Sequence, residues 1–176
     1  MEHHWLKSTP NHIGQYLAGF ADGEGSFNVS MRKRIGGIGW QLDPSFNVSQ
    51  RDRTILALFK RHLGCGTLRQ RQDGVVYFEV RNLTSLYDRV LPFFDRFQFL
   101  SASKKRNFSI FRDIIERMHR NEHHSREGFK KILELREIIN EGRGRKRKYS
   151  ILDLPNPEEI LRDYTPNSSE SKLEMI

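Results

Sequence analysis

Two carboxylates separated by one glycine stand near the start of the chain, in the stretch Leu17 to Gly25 (LAGFADGEG). The residues before them predict a short helix over 12–20, so Asp22 and Glu24 follow its C-terminal end. A carboxylate there is unfavourable beside the negative end of the helix dipole unless a cation neutralises it. Hard divalent cations bind carboxylate and carbonyl oxygens, so a metal site is one interpretation. A glycine-rich helix end followed by a surface turn is the other, and DGEG alone favours it.

Hydrophobic periodicity predicts an α+β fold. Phe27, Val29 and Met31 alternate with polar residues, as in a strand with one buried face. The second strand, 41–48, alternates in the same way, and its Pro44 indicates an edge position or a bulge. The predicted order is αββαββα, with four antiparallel strands in one sheet and the helices on one face. The other predicted segments are a turn at 35–39, a helix over 52–63 capped by Asp52, strands over 67–71 and 75–80, and helices over 82–97, 104–120, 125–140 and 157–164.

Length and composition indicate one basic domain. The 176 residues include 30 Lys plus Arg and 22 Asp plus Glu, a net charge of +8, which favours a polyanionic partner such as nucleic acid. We expect an N-terminal extension over 1–11, the domain over 12–164 and a flexible tail over 165–176. The lone Cys65 predicts no disulfide, and we expect neither a secretory leader nor a membrane-spanning segment. An intracellular setting follows, and bacterial cytoplasm and an organelle fit equally well.

The polar side of the predicted sheet is rich in arginine and side-chain amides. It carries five Arg and two acids. Arginine suits guanine edges and Asn or Gln suits adenine edges in the major groove, while arginine also contacts phosphates. An ordinary solvated face is the alternative, because alternation alone is typical of both. The candidate DNA-binding residues are Asn28, Ser30, Arg32, Arg34, Gln41, Asp43, Ser45, Asn47, Arg69, Arg71, Tyr77, Glu79 and Arg81.

The stretch Tyr16 to Phe27 (YLAGFADGEGSF) resembles the motif of the LAGLIDADG homing endonucleases, and it occurs once. The resemblance extends from about residue 13 to about residue 140 and includes the order of strands and helices. Single-motif members of this family form homodimers through the motif helix. The resemblance therefore implies a homodimer whose interface contains Gly14, Ala18 and Gly19.

The same resemblance implies a metal-dependent nuclease. Glu24, the last acid of the motif, would bind Mg²⁺ (Mn²⁺ could substitute) together with the carbonyl of Gly23, and Gln50 would order water beside the metal. The implied reaction is hydrolysis of both strands of double-stranded DNA at a long, roughly palindromic site, leaving staggered 3′ overhangs. We expect no covalent intermediate, because no Ser, Cys or Tyr has an evident activating partner.

Basic residues complete the implied catalytic site. Lys104 resembles the family's pocket lysine, which would offset charge developing on the phosphate, and Lys105 is the alternative if the register shifts by one. A further basic residue would be Arg51 or Arg53, and the sequence does not choose between them. We expect neither a membrane nor a small-molecule substrate as a partner.

The same residues also fit other classes of protein. An intron maturase that binds RNA, or a DNA-binding regulator without nuclease activity, would share the fold, although a regulator would tend to lose Glu24 or the lysine. A protein-interaction module does not explain the one-sided arginine face. The pairs His3-His4 and His123-His124 are better explained as surface histidines than as metal ligands, because adjacent side chains diverge. The basic stretch 142–148 is expected to contact DNA phosphates, and contact with RNA is the alternative.

Overall fold

Helices and strands follow one another in the predicted order. The protein is described by a computed structural model over residues 4–33, 40–140 and 148–150. Its elements are α1 (His4–Lys7), α2 (Asn11–Glu24), β1 (Gly25–Lys33), β2 (Trp40–Gln50), α3 (Arg53–Leu63), β3 (Thr67–Gln70), β4 (Val76–Val80), α4 (Leu83–Ser85), a π turn (Leu86–Val90), α5 (Leu91–Arg96), α6 (Ala102–His119), a 3₁₀ turn (Glu122–His124) and α7 (Arg126–Ile138). The predictions for His3, Arg34, the turn at 35–39, nearly all of the basic stretch 142–148, the helix at 157–164 and the tail at 165–176 fall outside the described residues.

The sheet has the strand order β1-β2-β4-β3, and all its pairs are antiparallel. β1 pairs with β2 along its whole length. β4 pairs with β2 only from Phe46 onwards, so among the described strands the first part of β2 has a neighbour on one side alone. Pro44 lies in that part, opposite Val29, where a strand can tolerate a residue without an N–H. The edge-like position that the proline indicated is confirmed.

Alternation along the strands buries one side of the sheet under α2, α3 and α6. Phenylalanines dominate this core: the ring of Phe27 lies 4.9 Å from that of Phe111, 5.2 Å from that of Phe46 and 5.4 Å from that of Phe108, centroid to centroid. Rings at such spacings bury large apolar areas and fix one another's orientation. The predicted α+β class, with helices on one face of a four-stranded antiparallel sheet, is confirmed. No helix in the described ranges is long and apolar enough to cross a membrane.

Side-chain caps fix the starts of the main helices. The Asp52 carboxylate accepts from the N–H of Thr54 at 2.8 Å at the start of α3, as predicted. The hydroxyl of Ser101 accepts from the N–H of Lys104 at 3.3 Å at the start of α6. Each cap satisfies a backbone donor that has no partner inside the helix. These caps set the first turn of α6, which carries the candidate lysine.

The motif helix is longer than the periodicity predicted. α2 continues through Asp22 and Gly23 and ends at Glu24, rather than ending at residue 20. Gly25 is extended, with φ −75° and ψ 149°, and its N–H closes the last turn on the carbonyl of Ala21. A Cβ at Gly25 would lie 2.6 Å from that carbonyl oxygen. Helix and strand therefore join without a loop, and Glu24 is placed at the junction.

The outer edge of β1 is braced from the C-terminal side. Arg136, 3% exposed, donates from Nε to the carbonyl of Val29 at 2.9 Å and from Nη2 to that of Tyr149 at 2.9 Å. Asn140 donates from Nδ2 to the carbonyl of Phe27 at 2.6 Å. Side-chain donors on two edge carbonyls hinder pairing with a further strand. They also hold β1, which carries part of the polar side of the sheet, in position.

Candidate active site and nucleic-acid interface

Glu24 is presented to solvent at the C-terminal end of α2. Its side chain is exposed, and within the part of the chain that the structure describes it has no hydrogen-bond or ion-pair partner. The carbonyls of the last helical turn, including that of Gly23, also have no partner within the helix. A carboxylate and a carbonyl beside the negative end of the helix dipole form an electronegative, accessible point on the surface.

The other carboxylate of the motif, Asp22, is fully engaged. Its Oδ2 accepts from the N–H groups of Leu100 and Ser101, both at 2.9 Å, and its Oδ1 accepts from the hydroxyl of Ser101. Burial acts to raise the pKa of Asp22, but the hydrogen bonds from Ser101 and Leu100 and the charge of Lys104 together lower it below its usual value. Asp22 thus remains an anion that ties the end of α2 to the start of α6.

That tie brings Lys104 to the motif. Lys104 is half-buried, and its ammonium donates to the carbonyl of Gly25, the residue directly after Glu24. Lys105, one position further along the same helix, is exposed. Of the two lysines that the sequence left as alternatives, Lys104 is the one that contacts the motif strand in the structure.

Gln50 lies at the end of the sheet where the motif helix joins β1. It is the last residue of β2 and lies two positions beyond Val48, the partner of Gly25, so β2 ends level with the end of α2. Its Oε1 accepts from the N–H of Arg51 at 2.7 Å, which leaves the side-chain NH₂ as the group able to bind a water or a phosphate. Arg51 and Arg53 are both exposed, and the structure does not separate them.

The donor set suits a hard cation but is incomplete in one chain. Carboxylate and carbonyl oxygens, as at Glu24 and Gly23, are the ligands that Mg²⁺ takes, and it requires near-octahedral coordination. Among the described residues, no group of three or more His, Cys, Asp or Glu side chains is arranged to hold a metal ion. Further oxygens would have to come from water, from DNA phosphates or from a second copy of the chain.

Two of the three predicted dimer-interface residues face the chain's own core. Ala18 is 1% exposed in the single chain. Gly14 is buried, and a Cβ there would lie 2.3 Å from the ring of Phe97. The small residues at 14 and 18 therefore allow close packing within the chain, and their assignment to a dimer interface was wrong.

The outward side of α2 is different. Gly19 and Gly23 are exposed, and a Cβ at either would meet no atom of the described residues within 4 Å. Tyr16, 55% exposed, lies one turn before Gly19 on the same side. This outward face, defined by Tyr16, Gly19 and Gly23, is open for another backbone to approach closely.

Most of the predicted polar face is confirmed as one side of the sheet. The registers align cross-strand neighbours in rows, such as Asn28 beside Ser45 and Asn47 beside Glu79, and alternation places the rows on the side away from the helices. Ser30, Arg32, Gln41, Arg69, Arg71 and Arg81 are exposed, and Asn28, Asp43, Asn47, Tyr77 and Glu79 are half-buried. Ser45 is the exception: at 7% exposure its hydroxyl is not available to DNA, and that prediction was wrong.

Sequence reasoning omitted some residues of these sites. Ser26, opposite Asn47, and Thr67, opposite Glu79, lie on the polar face, and the alternation that identified their neighbours could have included them. Asp22 and Ser101 were not assigned any role. The signal for Ser101 was available, since a serine directly before a helical pattern is a typical N-cap.

Comparison with known proteins adds evolutionary evidence. The family model described as LAGLIDADG endonuclease matches residues 17–115, more than half of the chain. A probable intron-encoded endonuclease 2 of Neurospora crassa is 34% identical over 132 residues, covering 72% of this chain and 29% of that protein. The homing endonuclease I-ApeII of Aeropyrum pernix is 32% identical over 108 residues, covering 57% of this chain and 60% of its own length. The chain thus spans less than two thirds of these curated relatives.

Solved structures agree. The archaeal intron-encoded homing endonuclease I-Vdi141I, complexed with DNA, is 29% identical with a TM-score of 0.72, covering 86% of this chain and 93% of that one. The shared fold, the motif at Tyr16–Phe27 and the family match over more than half of the residues lead to one assignment. The chain is a member of the LAGLIDADG endonuclease family.

Proposed function

We propose that this chain is a site-specific homing endonuclease that cuts double-stranded DNA as a homodimer with Mg²⁺. One observation carries the proposal: Glu24, exposed and without a partner among the described residues, ends the motif helix directly where Lys104 contacts β1. A carboxylate that can bind a metal and a lysine ammonium therefore lie at the end of a basic, arginine-rich sheet face. Family membership and the resemblance to a DNA-bound relative support the same function.

The outward face of α2 supports the proposed dimer. Gly19 and Gly23 allow two copies of this helix to approach closely, and the exposed ring of Tyr16 beside them offers apolar surface for a partner to bury. Contact between like faces is isologous, so the two Glu24 side chains would meet near a two-fold axis. A two-fold protein recognises a roughly palindromic site, and each copy would cut one strand.

The chain's own residues have separate tasks in this reaction. Glu24 and the carbonyl of Gly23 would hold the metal, which would supply Lewis-acid activation of the scissile phosphate and of a nucleophilic water. The NH₂ of Gln50 orients that water. The ammonium of Lys104 stabilises the negative charge that develops on the phosphate oxygens. Asp22 and Ser101 keep Lys104 in place and do not touch the substrate.

Incubation of the purified protein with a library of randomised DNA duplexes tests this function. We expect Mg²⁺-dependent double-strand cuts in a small set of long, roughly palindromic sequences, with 3′ overhangs whose length sequencing of the ends will measure, and no cleavage in EDTA. Folded RNA is the control substrate. Selective RNA binding without DNA cleavage would instead identify a maturase, and sequence-selective DNA binding without cleavage would identify a regulator.

A further inference from the structure

An acidic residue stands among the arginines of the polar face, at the end of the sheet far from Glu24. The Asp43 carboxylate accepts from Nε of Arg32 at 2.5 Å through Oδ2, and from Nε2 of Gln41 at 3.3 Å through Oδ1. Arg32 and Gln41 are directly opposite each other across β1 and β2. The three side chains form one cluster on adjacent strands, which we call the Asp43 cluster.

The cluster leaves the two terminal nitrogens of the Arg32 guanidinium available for a base. Asp43 uses only Nε, and within the described part of the chain neither terminal nitrogen of Arg32 has a partner. Arg32 is 53% exposed while Asp43 is 22% exposed, so the carboxylate lies deeper and the guanidinium projects outward. The two terminal nitrogens of a guanidinium form the planar fork that pairs with O6 and N7 of guanine in the major groove.

The charges of Arg32 and Asp43 indicate that this ion pair contributes to sequence specificity rather than to overall affinity for DNA. Arg32 and Asp43 cancel each other's charge, so together they add little attraction to phosphates. An acid on a surface that binds a polyanion lowers the affinity, so the presence of Asp43 among the arginines indicates a role other than attraction. Fixing a flexible arginine before binding is such a role, because less side-chain freedom is then lost on association.

The surroundings leave space for a base edge. Beside the fork is an open depression of about 420 Å³ on the polar face. It is lined by Ser30, Arg32, Asp43, Pro44 and Arg81. The hydroxyl of Ser30 donates to the backbone carbonyl of Asp43 at 3.2 Å, which helps to hold the floor of this depression in place.

We propose that Asp43 is a specificity-determining positioning residue, which holds Arg32 so that it reads one guanine in each half of the DNA target. This inference rests on the proposed function, since it requires the polar face to bind DNA. It also changes the role first assigned to Asp43: the carboxylate contacts Arg32 and Gln41 rather than a base.

The strand geometry gives the position of that guanine. Arg32 lies seven residues after Gly25 along β1, and a strand rises about 3.3 Å per residue, so it is about 23 Å from the motif junction. One base pair advances about 3.4 Å along duplex DNA. The guanine is therefore about seven base pairs outward from the scissile phosphate.

The test uses the full chain on duplexes derived from its own selected target. Sequences that the wild-type protein cuts or binds are first selected from a randomised duplex library. Each outer position is then varied through all four bases, and relative cleavage rates are measured for wild type, Asp43→Asn and Arg32→Lys. Asp73→Asn is the matched control, because Asp73 pairs with Arg71 at 3.5 Å on the other hairpin.

We expect a guanine preference in the wild type within about two base pairs of the position given above. Asp43→Asn and Arg32→Lys should each lower that preference about tenfold at this position alone, in line with the value of a bidentate arginine–guanine pair. Asp73→Asn should retain it. An unchanged guanine preference in Asp43→Asn, or an equal loss at every position, would overturn the proposal.

The proposed nuclease activity and the proposed recognition of guanine are refuted by different results. If the wild type binds selected duplexes but cuts none, the proposed nuclease activity is wrong, and the guanine preference is then measured from the bound sequences with the same expectations. If the wild type cuts DNA but Arg32→Lys leaves the guanine preference intact, the nuclease stands and the role of the Asp43 cluster is refuted.

Discussion

Glu24→Gln should abolish DNA cleavage while DNA binding remains. The substitution keeps the size of the side chain and removes the charge that would hold the metal, so the loss should be at least about a thousandfold in cleavage rate, equivalent to about 4 kcal/mol of transition-state stabilisation. Because Glu24 is exposed and has no partner in the described part of the chain, the fold should be unaffected. Cleavage of the selected duplex in Mg²⁺ and a gel-shift titration measure the two properties.

The control for this variant is Glu127→Gln, which makes the same chemical change at an exposed glutamate in the first turn of α7. It should cut at the wild-type rate. Wild-type cleavage by Glu24→Gln would show that another group binds the metal. Loss of binding together with cleavage would show that Glu24 has a structural role that its exposure does not indicate.

Lys104→Met should lower the cleavage rate about a hundredfold without weakening DNA binding to a similar extent. Methionine retains most of the apolar stem and removes the ammonium, so what is lost is charge stabilisation near the phosphate, and loss of one such preorganised donor costs about this much. Lys105→Met, its exposed neighbour, is the matched control and should remain within a fewfold of the wild type. Single-turnover cleavage rates at saturating protein provide the comparison.

The structure gives the reason for expecting this difference between adjacent lysines. The ammonium of Lys104 contacts the carbonyl of Gly25, and the start of its helix is fixed by Ser101 and Asp22. If Lys105→Met were the slower enzyme, the register of α6 on the motif would be different on DNA. Equal rates for both variants and the wild type would remove lysine from the mechanism.

Local pattern predicted the sheet because both hairpins alternate polar and apolar residues, and the packing of Phe27 on its cross-strand neighbour Phe46 follows from that alternation. The position of Glu24 near the C-terminal end of the motif helix was also predictable, although the helix extends to residue 24 rather than ending at residue 20. Whether the small residues of α2 face the chain's own core or a second chain could not be predicted. Gly14 signals a close approach, but only the fold shows that the approaching group is Phe97, which is distant in sequence.

The polar contacts that organise the site were likewise beyond a local pattern. Asp22 binds donors at Leu100 and Ser101, and no spacing rule connects residues so far apart. Asp43 appeared to be one more polar-face residue. Its partners follow only from the strand register, which places Arg32 opposite Gln41 and within reach of the Asp43 carboxylate.

A mixed dimer offers the most direct test of the claim that two copies assemble on one site and that each cuts one strand. Wild-type and Glu24→Gln chains carrying different affinity tags are coexpressed, and the species with both tags is incubated with a supercoiled plasmid bearing the selected site in Mg²⁺. Cleavage by the intact copy alone should convert the plasmid to nicked circles, with linear DNA reduced at least about a hundredfold relative to the wild-type dimer. Linear DNA formed at half the wild-type rate or faster, or an active species that sediments as a monomer, would contradict the account.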